Sequence, residues 1–161
     1  MNAHPPPDPQ ESAPTLADIG LANFAPYLMN RIMGRYNASL RDEMADMGLT
    51  TPKMRALAVL TTLDAPLIGE LAVYTVTDPS TLSRALDQLD AEGLIHRRSD
   101  PEDSRATRVE ITAAGRAAFA RLWPQMAAAQ ARMFRGIPDG ERQAFVATLQ
   151  KMLANIRKHE I

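Results

Sequence analysis

The sequence contains no cysteine. That excludes a disulfide framework, a thiolate metal site and a thiol redox switch, each of which needs a sulfur ligand or nucleophile. Histidine is scarce: His4, His96 and His159 lie far apart and offer no ligand cluster. With no glycine-rich phosphate loop and no paired base and nucleophile either, the residues give no basis for an enzyme. Neither sign of charge dominates, because 18 Lys and Arg face 19 Asp and Glu for a formal net charge of -1. Global electrostatics therefore does not point to nucleic acid, and any such case must come from motifs. No apolar run approaches the ~18 residues of a membrane span; the longest, Ala56 to Leu60, suits a buried helix. The start holds Pro5, Pro6, Pro7, Pro9 and Pro14 but none of the ~7–15 apolar residues of a signal peptide. It reads as a flexible Pro-rich tail over residues 1–20, and the expected compartment is the cytoplasm.

What is present is helical periodicity. The 161 residues, 45% of them hydrophobic, suit one packed domain with room for dimerisation elements. Phe24, Leu28, Ile32, Tyr36, Leu40 and Met44 recur every four residues, the stripe of one long amphipathic helix. Asn23 is its expected cap, Pro26 is tolerable in its first turn, and Gly48 marks its end. Three short helices follow, each opened by a proline. Thr51-Pro52 starts one with Leu57, Leu60 and Leu63 inward; Ala65-Pro66 starts one with Ile68, Leu71 and Ala72; Asp78-Pro79 starts one with Leu82, Leu86 and Leu89. Helices so short are marginal alone, so they must pack on one another, and helix-turn-helix geometry does that.

Leu94–Ser99 and Thr107–Thr112 read as strands flanking the polar turn from Asp100 to Arg105, a hairpin with an exposed tip. Thr112 caps a helix from Ala113 to about Arg135, and a last helix from Asp139 carries Phe145, Leu149, Met152, Leu153 and Ile156 inward. The fold class is mainly α: a winged helix-turn-helix with a two-stranded β wing and long N- and C-terminal dimerisation helices. Its expected divisions are 21–48, 49–112 and 113–161. The apolar residues of the first and last helices exceed what a small helix-turn-helix core covers, which implies a homodimer.

The run from Asp78 to Arg98, with Asp103-Ser104-Arg105-Ala106 and then Ile111-Thr112-Ala113-Ala114-Gly115, resembles the signature of the MarR family of transcription regulators. The likeness spans roughly Leu21 to Ile156. Ile111 stands where the family usually has Leu, a conservative departure.

On the helix opened by Pro79, the leucine face leaves Ser80, Arg84 and Asp87 on the opposite side, with Thr81, Ser83 and Gln88 flanking. Short hydroxyls near a helix N-terminus approach a DNA backbone closely, at the positive end of the helix dipole. Arg84 is the candidate base reader, since Arg pairs bidentately with guanine O6 and N7. The resemblance implies that Arg105 enters a minor groove with Asp103 fixing its orientation. Arg97, Arg98 and Arg108 are candidate phosphate contacts. From Asp78 to Arg108, however, five arginines (84, 97, 98, 105, 108) meet seven acids (78, 87, 90, 92, 100, 102, 103), so binding must rely on the placement of a few arginines.

The resemblance also implies a ligand crevice between the dimer helices and the reading lobe, for which Tyr27, Arg31, Met54, Tyr74 and Trp123 are candidates. No cofactor and no metal are expected. The functional expectation is a homodimeric repressor on a pseudo-palindromic site in double-stranded DNA, released by a small phenolic or lipophilic ligand. The rival is a winged-helix protein-interaction module without DNA binding. Arg84 and Arg105 discriminate between the two.

Overall fold

The computed structural model describes residues 13–159. Its elements are α1 (Leu16–Ile19), a 3-10 turn (Leu21–Asn23), α2 (Ala25–Ser39), α3 (Arg41–Asp46), α4 (Thr51–Leu60), α5 (Ile68–Thr75), α6 (Pro79–Ala91), β1 (Ile95–Ser99), β2 (Thr107–Ile111), α7 (Ala113–Met133) and α8 (Asp139–Ile156). They fall into two units, one ending at Ala38 and the other beginning at Ser39. Residues 1–12 of the expected tail lie outside the described residues.

In the first unit the chain is ordered before the expected boundary at residue 20. Thr15 and Asp18 form a reciprocal cap on α1: the Thr15 amide donates to Asp18 Oδ2 at 2.8 Å, and the Asp18 amide donates to Thr15 Oγ1 at 3.3 Å. Asn23 does not cap α2. Its amide group donates back to the Ile19 carbonyl at 3.0 Å, and α2 starts instead from Phe24, whose carbonyl accepts from Tyr27 and Leu28. Along α2 no residue is buried, and Leu28, Ile32 and Met33 are exposed.

The expected single helix from Asn23 to Gly48 is two. Leu40 interrupts it, with φ -103° and ψ -7°, and is fully buried in the second unit together with Met44. The four-residue spacing continues across the break, so periodicity alone does not reveal it.

The core of the second unit is built around α4, which packs against α5, α6, α7 and β2. Leu40, Leu57, Leu60, Leu71, Leu82, Leu86, Leu89, Ile95, Val109 and Leu122 are its large apolar side chains that are fully buried. Each contributes about 1.5–3 kcal/mol by leaving water, which fixes α6 against the core by one face only. The wing is antiparallel, with Ile95 opposite Ile111 and Ser99 opposite Thr107.

Pro66 does not open α5, which begins two residues later. The Pro66 carbonyl accepts from the Val109 amide at 3.0 Å, and Leu67 pairs with Arg108. The α4–α5 connection thus lies along β2 as a third edge of the wing. The start of α5 is held instead by Glu70, whose carboxylate accepts from the Leu67 amide at 2.8 Å.

The last two helices differ in burial. Leu122 and Ala129 of α7 are buried, but Phe145, Met152, Leu153 and Ile156 of α8 are exposed, Ile156 by 77%. The apolar stripe is present and the chain itself does not cover it. At the turn joining the two helices, Phe134 and Phe145 meet edge to face with ring centres 6.1 Å apart.

Candidate nucleic-acid interface

The candidate reading face is the exposed side of α6. Leu82, Ala85, Leu86 and Leu89 are buried, which leaves Ser80, Ser83, Arg84, Asp87 and Gln88 outward, with Thr81 half-buried at the rim. Asp78 caps the helix. Its Oδ1 accepts from the Ser80 hydroxyl at 2.6 Å and from the Thr81 amide at 2.9 Å. These donors, the Ser80 hydroxyl first and then Thr81, hold the Asp78 carboxyl well below the usual carboxylate range. The Ser80 hydroxyl proton and the Thr81 amide, both expected at a DNA backbone, thus also serve a carboxylate of this chain. Arg84 has no hydrogen-bond or ion partner among the described residues.

The wing arginines differ from one another more than their sequence positions suggest. Arg108, expected at a phosphate, donates to the Ala65 carbonyl at 2.9 Å and pairs with Asp100. It fastens the wing to the α4–α5 connection. Asp100 is buried and also accepts the amides of Glu102 at 2.6 Å and Asp103 at 3.1 Å. The Glu102 amide is the main cause holding its carboxyl below the ordinary range, against the opposing effect of burial. Arg98 is paired across the strands with Glu110. Arg97 reaches back to α6, with NH1 2.9 Å from Asp87 Oδ1 and Nε 3.0 Å from Asp90 Oδ2. Only Arg105 projects freely: its side chain is 91% exposed and its contact to Asp103 Oδ1 is 3.3 Å long. Asp103 also accepts the Arg105 amide at 3.0 Å, which shapes the tip turn. An ion pair so exposed contributes at most about 1 kcal/mol and leaves the guanidinium available.

Sequence reasoning missed two buttresses behind this face. Lys53 is buried; its Nζ donates to the Gly48 carbonyl at 2.9 Å and to Glu92 Oε1 at 2.7 Å, tying α4 to the end of α6. Arg55 donates to the carbonyls of Thr75 and Val76, both at 3.3 Å, in the turn before α6. No local pattern announces the links to Glu92, Thr75 and Val76, because these partners lie about 20 to 40 residues away.

Val76 in that turn is left-handed, with φ 50° and ψ 48°, and 81% exposed. A β-branched residue there costs about 1–2 kcal/mol of steric strain and gains almost nothing from packing. Val76→Gly is therefore expected to stabilise the protein by about 1 kcal/mol, after allowing for the greater unfolded freedom of glycine. A thermal melt should show a rise of about 2–4 °C; a fall would show that the turn is not strained.

The residues named for a ligand are divided between the units. In α2 the Arg31 guanidinium lies 5.7 Å from the centre of the Tyr27 ring, with its NH1 3.3 Å from the Tyr27 hydroxyl. In the second unit Met54 is buried in the core, whereas Tyr74 and Trp123 are exposed, Trp123 beside Phe119 at 6.2 Å between centres. A surface cavity of about 250 Å³ on α7 and α8, lined by Gln130, Arg142, Gln143, Val146, Ala147 and Gln150, includes none of them. Among the described residues no group of three or more His, Asp or Glu is placed to hold a metal ion, and no helix is long and apolar enough to cross a membrane.

Comparison with known proteins agrees with this geometry. The family model described as MarR family matches residues 47–106. A crystal structure of a MarR family transcriptional regulator from Silicibacter pomeroyi is 60% identical, with TM-score 0.87, covering 91% of this chain and 99% of that one. The HTH-type transcriptional repressor IacR of Pseudomonas putida is 25% identical over 83% of this chain and 80% of its own. A structure of BpsR from Bordetella bronchiseptica, whose DNA binding is regulated by 6-hydroxynicotinic acid, is 27% identical with TM-score 0.69, covering 80% of this chain and 97% of that one.

Proposed function

This chain belongs to the MarR family of transcriptional regulators, and from that premise we propose that it is a homodimeric repressor of a pseudo-palindromic DNA site, released by a small aromatic ligand. Regulators of this family are not enzymes. The observation that carries DNA binding is Arg84: an unpartnered guanidinium on the exposed face of a helix whose other face is locked in the core. Free Arg105 at the wing tip supplies a second contact at a distance, in a groove adjacent to the one α6 reads.

Dimerisation is supported by apolar side chains that the chain leaves uncovered, Leu28 and Ile32 on α2 and Phe145, Leu153 and Ile156 on α8. Exposed apolar stripes of this kind, on each helix, are what an interface would cover. Two-fold symmetry then sets the half-sites about 10–10.5 bp apart, one helical turn. The repressor reading draws on IacR and the ligand reading on BpsR. A ring beside a guanidinium, as Tyr27 and Arg31 present on α2, suits an aromatic acid through stacking and charge.

Selection of bound duplexes from a random pool, with sedimentation of the free protein, tests this. The expected result is enrichment of an inverted repeat and a dimer at micromolar concentration. A monomer would overturn the symmetric reading, and a folded dimer that enriches no sequence would leave the winged helix serving a protein partner.

A further inference from the structure

Arg97 has two carboxylates and no spare role. Its guanidinium bridges Asp87 and Asp90, which lie one turn apart on α6, and the three groups together carry one net negative charge. Asp87 is not tucked away: its side chain is 60% exposed, on the same face as Arg84 and one turn further along. A carboxylate at that spacing is the natural intrahelical partner of Arg84. It is instead turned to the wing, and Arg84 remains unpaired.

Resting on the DNA-binding reading above, we propose that Asp87, Arg97 and Asp90 form a specificity filter. The cluster does two things at once. Its net negative charge beside the reading residue repels phosphate, so a duplex that offers Arg84 no matching base binds poorly. Arg97 also draws Asp87 away from Arg84, which keeps the reading guanidinium free for guanine. Arg97 is thus a positioning residue and not a phosphate contact, and Asp87 acts on sequence discrimination without touching a base. The wider interface follows the same pattern: Arg98 is balanced by Glu110 and Arg108 by Asp100, so sequence-independent attraction is left mainly to Arg105 at the tip. Discrimination is the ratio of specific to non-specific binding, and lowering the second raises it as surely as improving the first.

The test compares the full-length protein with Asp87→Asn/Asp90→Asn and with Arg97→Gln, each titrated on the selected operator and on a mixed-sequence duplex across a salt series. In the double variant Arg97 is released to phosphate. Mixed-sequence binding should tighten about tenfold or more at low salt, and the slope of log K against log salt should steepen by roughly 2 per dimer, one contact per subunit. Operator affinity should gain less, so the specificity ratio falls. In Arg97→Gln the carboxylates are unbalanced and Asp87 captures Arg84, so operator affinity drops; adding Asp87→Asn should restore it. Asp87→Asn alone, which leaves Arg97 held by Asp90, guards against loss of the fold and should show the same direction at smaller size.

A double variant that melts like the wild type yet gains no mixed-sequence affinity and keeps its slope would reduce the cluster to a structural staple. A change in the preferred base in Asp87→Asn would make Asp87 a reader and also overturn the proposal. Wild-type protein that binds no duplex would instead refute the DNA-binding reading on which both rest.

Discussion

Gly115→Ala is expected to cost about 3 kcal/mol or more and to lower the melting temperature by about 10 °C. A Cβ on Gly115 would stand 2.0 Å from the Leu94 carbonyl oxygen and 2.8 Å from Cγ1 of Ile111. The first neighbour is backbone and cannot swing aside. Leu94 is pinned from both directions, because its amide donates to Leu89 at 2.9 Å and its carbonyl accepts from Thr112 at 3.1 Å. Thr112 in turn caps α7 through Gly115, whose amide donates to Thr112 Oγ1 at 3.0 Å, while that hydroxyl donates to the Gly93 carbonyl at 2.7 Å. Any relief of the clash therefore opens the seam where α6 ends, the wing closes and α7 begins. A circular dichroism melt measures the loss. A near-wild-type transition would mean that α7 shifts on the wing without consequence, and that this seam does not set stability.

That seam shows how far the residues alone lead. The Thr112 cap and the glycine three positions later were visible as a motif, but the reason for the glycine is a backbone atom of a residue about 20 positions earlier. The same division runs through the fold. The prolines at 52 and 79 sit in the first turns of α4 and α6 as expected, because their effect is local. Pro66 does not, because what it contributes is a carbonyl to β2. The break at Leu40 carries no proline or glycine, and it coincides with the burial of that side chain in the second unit. At the interface, the outward set on α6 followed from its leucine spacing, whereas the roles of Arg97 and Arg108 depended on which carboxylates the wing brought near. Helix periodicity is written in adjacent residues; ion pairing is written in the tertiary fold.

Arg84 and the loosely held Arg105 should fail differently when removed. Arg84→Ala takes away a guanidinium without a partner among the described residues, on a helix whose opposite face is buried in the core. Each half-site should lose about 1–3 kcal/mol of base discrimination, so the dimer should bind its operator on the order of a hundredfold more weakly while mixed-sequence binding changes little. Arg105→Ala removes a side chain at the exposed tip, where the Asp103 contact is too long and too wet to hold it back. Binding to both duplexes should weaken alike, and the salt slope should flatten by roughly 2 per dimer. Anisotropy titrations of both variants on both duplexes over a salt series separate the cases, with a melting curve to confirm that each variant is folded. A uniform loss in Arg84→Ala would make it a phosphate contact and move sequence reading elsewhere on α6. No change in either variant would count against DNA contact by α6 and the wing, since the other arginines here, Arg97, Arg98 and Arg108, are each held by a carboxylate.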